Sequence, residues 1–418
     1  MKYKKIIKDN LTYHLIETNR FKSISIVSIL TKEFDKKDLT YSTLLTSNLM
    51  YSSKKYNTKE KIASYTEDLY GAKVSASFQT IGSSCNYTFS LDFINPKYTD
   101  NKYLDKSIEF FKEVLLNPNI INNHFNDEYF DLIKKDTINN INSIKDNPSQ
   151  YASIRYSSIM YKGTPLEYSN IPNIEDLEKI TSKSLYDYYR ELFSGKFKID
   201  IFILGEVEDF IIEKIHDLFK NIKSNNEKIT LSIKCKNHNK GKEVIDSLKY
   251  NQSKLYLGYV LDDLNYHEMN HVLKLYNTIL GTMNDSVLFN IVREENSLCY
   301  SIGSYVSKYT SSLVIYAGIN KTNYEKTVEL IKKCVNDMSN KKVVKRLFES
   351  AKKTINTYLN NYYDDSIQQI DNYYLNEFEQ IEDIETLRKN INEVSIDEVI
   401  ELNKKISLST IYMLKGDN

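Results

Sequence analysis

The chain of 418 residues has no tryptophan, five prolines, eleven glycines and four cysteines. The cysteines are far apart and form no Cys-x-x-Cys pair, which argues against a disulfide framework and a thiolate zinc site. They are Cys85, Cys235, Cys299 and Cys334. This usage fits a reducing cytoplasm best. The 34 tyrosines accompany abundant Lys, Asn and Ile, which indicates a bias toward AT-rich codons and makes tyrosine content weak support for any function.

An excess of charge of one sign is also missing, because 56 basic and 56 acidic side chains cancel. The chain therefore lacks the electric field that nucleic acid or an anionic membrane would select. No apolar run approaches the ~20 residues of a membrane span, and the first ten residues contain no signal-peptide core. Hydrophobic residues make up 41% of the chain and recur throughout, which argues against disorder. We expect a cytoplasmic protein without a membrane span or a nucleic-acid partner.

Periodicity predicts two halves with the same order of elements. The first half reads as strand 23–30, a helix near 44–50, strands 73–80 and 86–93, helices 103–116, 127–142, 149–160 and 182–193, and strand 198–204. The second half reads as strand 254–260, helix 268–280, strands 298–305 and 312–319, helices 323–338, 343–362, 366–377 and 396–404, and a strand near 411–417. A tandem duplication is the simplest explanation of this order.

The predicted fold class is α+β, with a mostly antiparallel sheet packed on long helices in each of two homologous domains. We expect the first domain at residues 1–221 and the second at 243–418. Residues 222–242 are polar, rich in Lys and Asn and poor in periodicity, so they are the predicted linker.

Residues 291–303 carry the most specific pattern, in which Arg293 and Tyr300 are separated by six residues. The segment resembles a signature of the insulinase-type zinc peptidases. In that family the Arg and the Tyr hold substrate backbone opposite a zinc site on an inverted His-x-x-Glu-His helix. Further segments are similar to that family in the same order, namely residues 15–26, 252–258, 279–281 and 286–289.

The zinc half of this resemblance is missing, because the sequence contains no His-x-x-Glu-His. The predicted helix around residues 40–50 stands where that motif is expected, and the corresponding positions are Leu44, Ser47 and Asn48. Leu has no ligand atom, Ser is no base near neutral pH, and Asn is a poor zinc ligand. Asn140 stands where the family has its third ligand, a Glu before an Asp-x-Pro turn. We therefore expect no metal, no cofactor and no catalytic residue in this chain.

The resemblance implies a half clam-shell that needs a second chain to close its chamber. It is closest to bacterial members encoded as pairs, in which one chain keeps the zinc motif and the other keeps the Arg and the Tyr. One such pair is associated with modification of elongation factor P. The implied function is a non-catalytic, zinc-free subunit in which Arg293 and Tyr300 bind an extended peptide substrate. The implied partner is a zinc-carrying paralogous peptidase subunit.

A second zinc pattern competes with this interpretation, because His267-Glu268-x-x-His271 matches the direct motif of another class of zinc peptidases. A self-sufficient peptidase would need both histidines on one face of a formed helix. It would also need a third ligand from downstream, for which Glu294 and Glu295 are candidates.

The surrounding sequence favours a simpler explanation of this motif. Asn265 is a predicted N-cap, which places His267 in the first turn of the helix. The helix is expected to bury Val272, Leu275 and Ile279 and to begin with exposed polar residues. Three further histidines have no convergent ligands at metal spacing; they are His124, His216 and His238. His14 lacks a second histidine and lies in a strand-like stretch, which favours a solvated or core-edge side chain over a ligand.

Arg293 and Tyr300 also have structural explanations. Arg293 can cap a helix end or pair with Glu295, and Tyr300 can pack its ring within a strand. As a functional pair, a guanidinium and a phenol offer directed donors to a peptide carbonyl or a developing oxyanion. A third class, a purely structural scaffold with a degenerate chamber, also stays open.

Overall fold

The computed structural model describes residues 2–100, 102–207, 210–225, 227–233 and 240–417. The chain forms two units, each assembled from three segments. Unit 1 contains Met1–Asn142, Asn170–Leu231 and Tyr363–Ile381, and unit 2 contains Ser143–Ser169, Ser232–Tyr362 and Glu382–Asn418. Each unit combines one large sheet with long helices, which confirms the α+β class.

The strands are β1 (Lys2–Lys8), β2 (Leu11–Glu17), β3 (Ser23–Glu33), β4 (Lys73–Ile81), β5 (Ser84–Ile94), β6 (Ile120–Ile121), β7 (His124–Phe125), β8 (Lys198–Gly205), β9 (Lys242–Leu248), β10 (Ser253–Leu261), β11 (Cys299–Ser307), β12 (Ser312–Ile319) and β13 (Ile406–Gly416). The α-helices are α1 (Lys36–Tyr51), α2 (Lys59–Asp68), α3 (Lys102–Leu116), α4 (Asp127–Asn142), α5 (Pro148–Met160), α6 (Ile174–Glu178), α7 (Ser182–Leu192), α8 (Phe210–Phe219), α9 (Leu273–Asn277), α10 (Tyr324–Asp337), α11 (Lys341–Asn361), α12 (Ser366–Leu375), α13 (Ile384–Glu393) and α14 (Ile396–Leu402). Among the described residues, three π-helical segments cover Glu268–Val272, Thr278–Thr282 and Phe289–Glu295.

The sheet of unit 1 has the strand order β1-β2-β8-β3-β5-β4. β2 and β8 are parallel, and the other neighbours are antiparallel. Alternation along β5 separates its two faces, because Tyr87, Phe89 and Leu91 join the main core while Thr88 and Ser90 lie on the opposite face. The core side is covered by α1, α3, α7 and α8.

The sheet of unit 2 repeats this pattern of pairing. Its order is β9-β13-β10-β12-β11, with β9 and β13 parallel and the other neighbours antiparallel. It therefore corresponds strand by strand to β2-β8-β3-β5-β4 of unit 1. One end of the sheet is β11, the strand that contains Tyr300.

A single helix covers the other face of each sheet. In unit 1 this helix is α12, whose Ile370 and Tyr374 pack against Phe202 of β8. In unit 2 it is α5, whose Tyr156 and Met160 pack against β10, β12 and β13. Each sheet is therefore sandwiched between helices, which lets a strand bury both of its faces.

Gly258 in β10 sets how closely α5 approaches the sheet of unit 2. A Cβ at this position would meet the hydroxyl of Tyr156 and lie 2.9 Å from the sulfur of Met160. Glycine in a strand interior commonly marks such a close approach. This residue therefore positions α5 on the sheet.

Periodicity located many elements well, since α4 and β12 occur at the predicted bounds. It missed β9, α8 and α13. Residues 234–239 of the predicted linker, which include Cys235 and His238, lie outside the described residues. Throughout the described ranges, every helix is too short or too polar to cross a lipid bilayer.

Candidate functional site

Arg293 lies in the π-helical segment Phe289–Glu295 of unit 2. Its side chain is 43% exposed, and its nearest carboxylate oxygen is 3.7 Å away on the adjacent Glu294. The guanidinium carbon lies 4.7 Å from the ring centre of Phe289. This weak pairing leaves the guanidinium accessible to a ligand, in contrast to the close pair with Glu295 considered from the sequence.

Tyr300 lies at the start of the edge strand β11 and is 69% exposed. The pairing between β11 and β12 shifts register between Cys299 and Ser301, which makes Tyr300 the extra residue of a β-bulge. Bulges re-aim side chains and are common beside functional sites. The exposure of the ring argues against a packing role, and within the described part of the chain the Tyr300 hydroxyl makes no hydrogen bond.

A tight turn connects the two residues. The backbone N–H of Leu298 donates to the carbonyl of Val292 at 3.1 Å, and Ser297 has a positive φ of 53°. Burial raises the pKa of the Cys299 thiol to about 11, and the positive charge of Arg293 acts on it in the opposite direction. Arg293 therefore lies close to the first residues of β11. A guanidinium, a phenol and the terminal strand of a sheet together offer donors to an extended peptide backbone.

The positions expected for a zinc site lie on α1 and α4, which pack against each other in unit 1. Leu44 is fully buried, and the side-chain amide of Asn48 donates to the carbonyl of Leu44 at 2.8 Å. Asn140, the position of the expected third ligand, is exposed on α4. No histidine or carboxylate occupies these positions, so their side chains do not fit a zinc ion.

The competing His267-Glu268-x-x-His271 motif lies at the start of a helix, as the predicted N-cap requires. The side chain of Asn265 accepts from the backbone N–H of Glu268 at 2.9 Å, and Glu268 in turn accepts from the N–H of Asn265 at 2.9 Å. Both oxygens of Glu268 also lie 2.7 Å from the ammonium nitrogen of Lys405. Glu268 is therefore committed to a helix cap and a salt bridge, and it is not positioned as the general base of a peptidase.

Unit 1 contains a cluster that sequence reasoning missed. His14, Asp200 and Glu377 form the one group of three potential metal ligands within the described ranges, and they come from β2, β8 and the segment after α12. Lys198 lies 2.6 Å from Asp200, and Lys5 lies 2.6 Å from Glu377. These ammonium groups already neutralise the carboxylates, so the cluster is a buried salt-bridge network. No local spacing could have revealed residues so far apart in sequence.

Comparison with known proteins was consistent with the missing zinc ligands. Residues 179–355, which include Arg293 and Tyr300, match the family described as "Peptidase M16 inactive domain". A Bacillus subtilis (strain 168) protein named "Probable inactive metalloprotease YmfF" is 28% identical over 421 residues, which cover 97% of this chain and 96% of that protein.

Solved structures share the fold over the whole chain. A conserved protein from Enterococcus faecalis V583 has a TM-score of 0.91 at 23% identity, with 99% of both chains covered. A peptidase M16 inactive domain from Pseudomonas fluorescens has a TM-score of 0.78 at 16% identity, covering all of this chain and 98% of that one. At these identities the structural likeness concerns the fold.

Proposed function

Because the chain belongs to the insulinase-type (M16) peptidase family, in a branch that lacks the zinc motif, we propose that it is a non-catalytic subunit of a peptidase chamber. In this proposal a zinc-carrying paralogous subunit supplies the metal and the general base. Arg293 and Tyr300 of this chain hold the backbone of an extended peptide substrate at the partner's zinc.

One observation carries the proposal. The two polar side chains of the Arg/Tyr pattern are exposed at the bulged end of an edge strand, while the zinc positions contain Leu, Ser and Asn. The guanidinium and the phenol are both accessible and lie at the two ends of one tight turn, which places two donors beside the terminal strand of the sheet. Such donors stabilise a peptide carbonyl as negative charge develops on its oxygen.

We also propose that the two halves, residues 1–221 and 243–418, arose by duplication and are joined by 222–242. The matching order and direction of five strands in each sheet support this proposal. It explains why the Arg/Tyr segment and the degenerate zinc helix occur in different halves.

We further propose that the protein is located in the cytoplasm and that it takes part in modification of elongation factor P. The scattered cysteines support the location, and the link to elongation factor P rests on family resemblance. The substrate is an extended peptide, since an open strand edge recognises main chain better than folded surfaces.

The experiment that tests the proposal is peptide turnover by the assembled pair. This chain would be co-purified with its zinc-carrying paralogue, and kcat/KM would be measured on an unstructured peptide. We expect Arg293→Ala to lower kcat/KM by about 10²-fold, because a donor to the reacting carbonyl is lost. We expect Tyr300→Phe to lower it by about tenfold, with the bound zinc of the pair unchanged in both variants.

Matched controls exist on α11 of the same unit, where Arg346 and Tyr358 are exposed and far from the edge strand in sequence. Arg346→Ala and Tyr358→Phe should leave turnover and complex formation unchanged. Full turnover in Arg293→Ala would refute the role of this arginine and would favour a scaffold. Peptidase activity of this chain alone, lost on Glu268→Gln, would instead favour the direct zinc motif.

A further inference from the structure

Two histidines of unit 2 face each other in an arrangement that the proposed function does not use. His267 and His271 are four residues apart at the start of the helix that leads into α9. Their Nδ1 atoms lie 3.0 Å apart, and their ring centres are 5.0 Å apart. The side chain of His271 is 3% exposed and that of His267 is 43% exposed, so one side of the pair is open to solvent.

A carboxylate holds the outer nitrogen of each ring. Nε2 of His267 lies 2.9 Å from Oε1 of Glu398, and Nε2 of His271 lies 2.8 Å from Oε2 of Glu382. Both carboxylates are fixed by further donors. Glu398 accepts from the backbone and hydroxyl of Ser395 at 2.7 Å, and Glu382 accepts from the amide of Asn390 at 3.0 Å.

These contacts determine where the ring protons lie. A carboxylate only accepts hydrogen bonds, so each Nε2 carries a proton and donates it. A neutral imidazole with its proton on Nε2 has a lone pair on Nδ1. Two such lone pairs 3.0 Å apart repel each other unless something positive lies between them. The geometry therefore requires a shared proton or a metal ion at this point.

We propose that His267 and His271 form a binding site for a divalent cation of the zinc class, held by their two Nδ1 atoms. Zinc binds histidine nitrogen at ~2.0–2.1 Å, so two nitrogens on one ion lie roughly 2.8 to 3.4 Å apart for ligand angles near ~90–110°. The observed 3.0 Å falls in this range. Metal-ligating histidines characteristically donate their other N–H to a carboxylate, as both rings do here.

The site is suited to binding and not to peptide hydrolysis. Glu268, the base that the direct motif would supply, is held by Asn265 and Lys405. A bound ion would have two protein ligands. Water would fill its other coordination positions, so the ion would exchange readily. The outer carboxylates precede α13 and lie within α14, so a bound ion would tie the start of this helix to both segments and stabilise unit 2.

A proton competes with the ion for the same lone pairs, so the affinity for zinc should rise with pH. The charged groups around the pair are Glu382 and Glu398 on the outer nitrogens, Glu268 with its partner Lys405 beside His267, and Lys274, which interacts electrostatically with Glu382.

Isothermal titration calorimetry with zinc chloride alone tests the site on full-length, tag-free protein at pH 7.5. We expect one zinc ion per chain and a higher melting temperature with zinc. His267→Gln should weaken zinc binding at least tenfold and abolish the shift in melting temperature. Glu382→Gln should weaken zinc binding roughly tenfold, because the ring of His271 is no longer held in orientation. His124→Gln is the matched control, because His124 pairs with Asp127 in unit 1 and should not alter binding.

Two outcomes would overturn the site. The first is equal zinc binding by wild type and a folded His267→Gln variant, with folding checked by circular dichroism. The second is no zinc binding by folded wild type; one proton shared by the two rings in nitrogen NMR would then make the pair a proton site. The inference does not rest on the proposed function, because turnover by the assembled pair and zinc binding by this chain are separate measurements.

Discussion

At the scale of single residues, Asp200 is a buried charged group of unit 1 that depends on a network of partners. Asp200 is fully buried, its carboxylate accepts from Nε2 of His14 at 3.3 Å, and Lys198 lies 2.6 Å away. The opposite nitrogen of His14 lies 2.8 Å from the hydroxyl of Tyr3. A buried charge is tolerated only when partners satisfy it in this way.

Asp200→Asn should destabilise the protein by about 3 kcal/mol, because the largely buried Lys198 loses its charge partner at 2.6 Å and keeps only Glu377 at 3.5 Å. Thermal and urea unfolding of unit 1 would measure this loss. Asp217→Asn is the control, since Asp217 is exposed and pairs with Lys220 at 3.1 Å. Equal melting temperatures for Asp200→Asn and wild type would show that the network contributes little.

The same residue predicts a pH dependence. Burial by itself raises the pKa of Asp200, but the hydrogen bond from His14 and the charge of Lys198 outweigh burial and hold this pKa below its ordinary value. The carboxylate therefore contributes stability above about pH 4, and this contribution is lost as the pH falls through the folded-state pKa. Between pH 6 and pH 2.5, the melting temperature of wild type should fall more than that of Asp200→Asn. Parallel curves would contradict this assignment.

At the scale of elements, the seating of α5 on its sheet depends on Gly258. Gly258→Ala should destabilise unit 2 by roughly 1–3 kcal/mol, because the new methyl group overlaps the Tyr156 hydroxyl and crowds Met160. The double variant Gly258→Ala/Tyr156→Phe removes the clashing hydroxyl and should recover part of the loss. Chemical denaturation of the two variants and of Tyr156→Phe completes a double-mutant cycle. If the effects of the two substitutions on the free energy of unfolding were strictly additive, the clash with Tyr156 would not be the cause of the lost stability.

The helices around the Arg/Tyr segment are wound more loosely than ordinary α-helices. The N–H of Leu273 donates to the carbonyl of Glu268, and the N–H of Met283 donates to that of Thr278, five residues earlier in each case. Short π-helical turns are rare and often occur at functional sites. Their presence in Phe289–Glu295 supports a special role for the segment that carries Arg293.

At the scale of the whole molecule, the missing zinc ligands predict the metal content. After dialysis against a mild chelator, elemental mass spectrometry of the tag-free chain should find close to no zinc, because α1 and α4 lack ligands and a two-histidine site releases its ion. About one tightly held zinc per chain would contradict the non-catalytic assignment. His271→Ala would then show whether the direct motif holds that ion.

Much of the fold follows from local pattern. Val272, Leu275 and Ile279, predicted as a core face from helical spacing, are all buried. Asn265 caps its helix as its residue type and position predict. Strand β9 was missed because its apolar residues Val244, Ile245 and Leu248 do not alternate with polar ones.

The sequence by itself determined that no zinc ligands stand at the family positions and that the elements are strands and helices in a repeated order. Ligand atoms and hydrophobic periodicity are properties of residue type and spacing, so they are visible without a fold. Only the tertiary structure decided that α5 belongs to unit 2 and α12 to unit 1, that Asp200 and Glu377 converge on His14, and that Tyr300 is exposed in a bulge. These features depend on packing between segments tens to hundreds of residues apart, which no local pattern encodes.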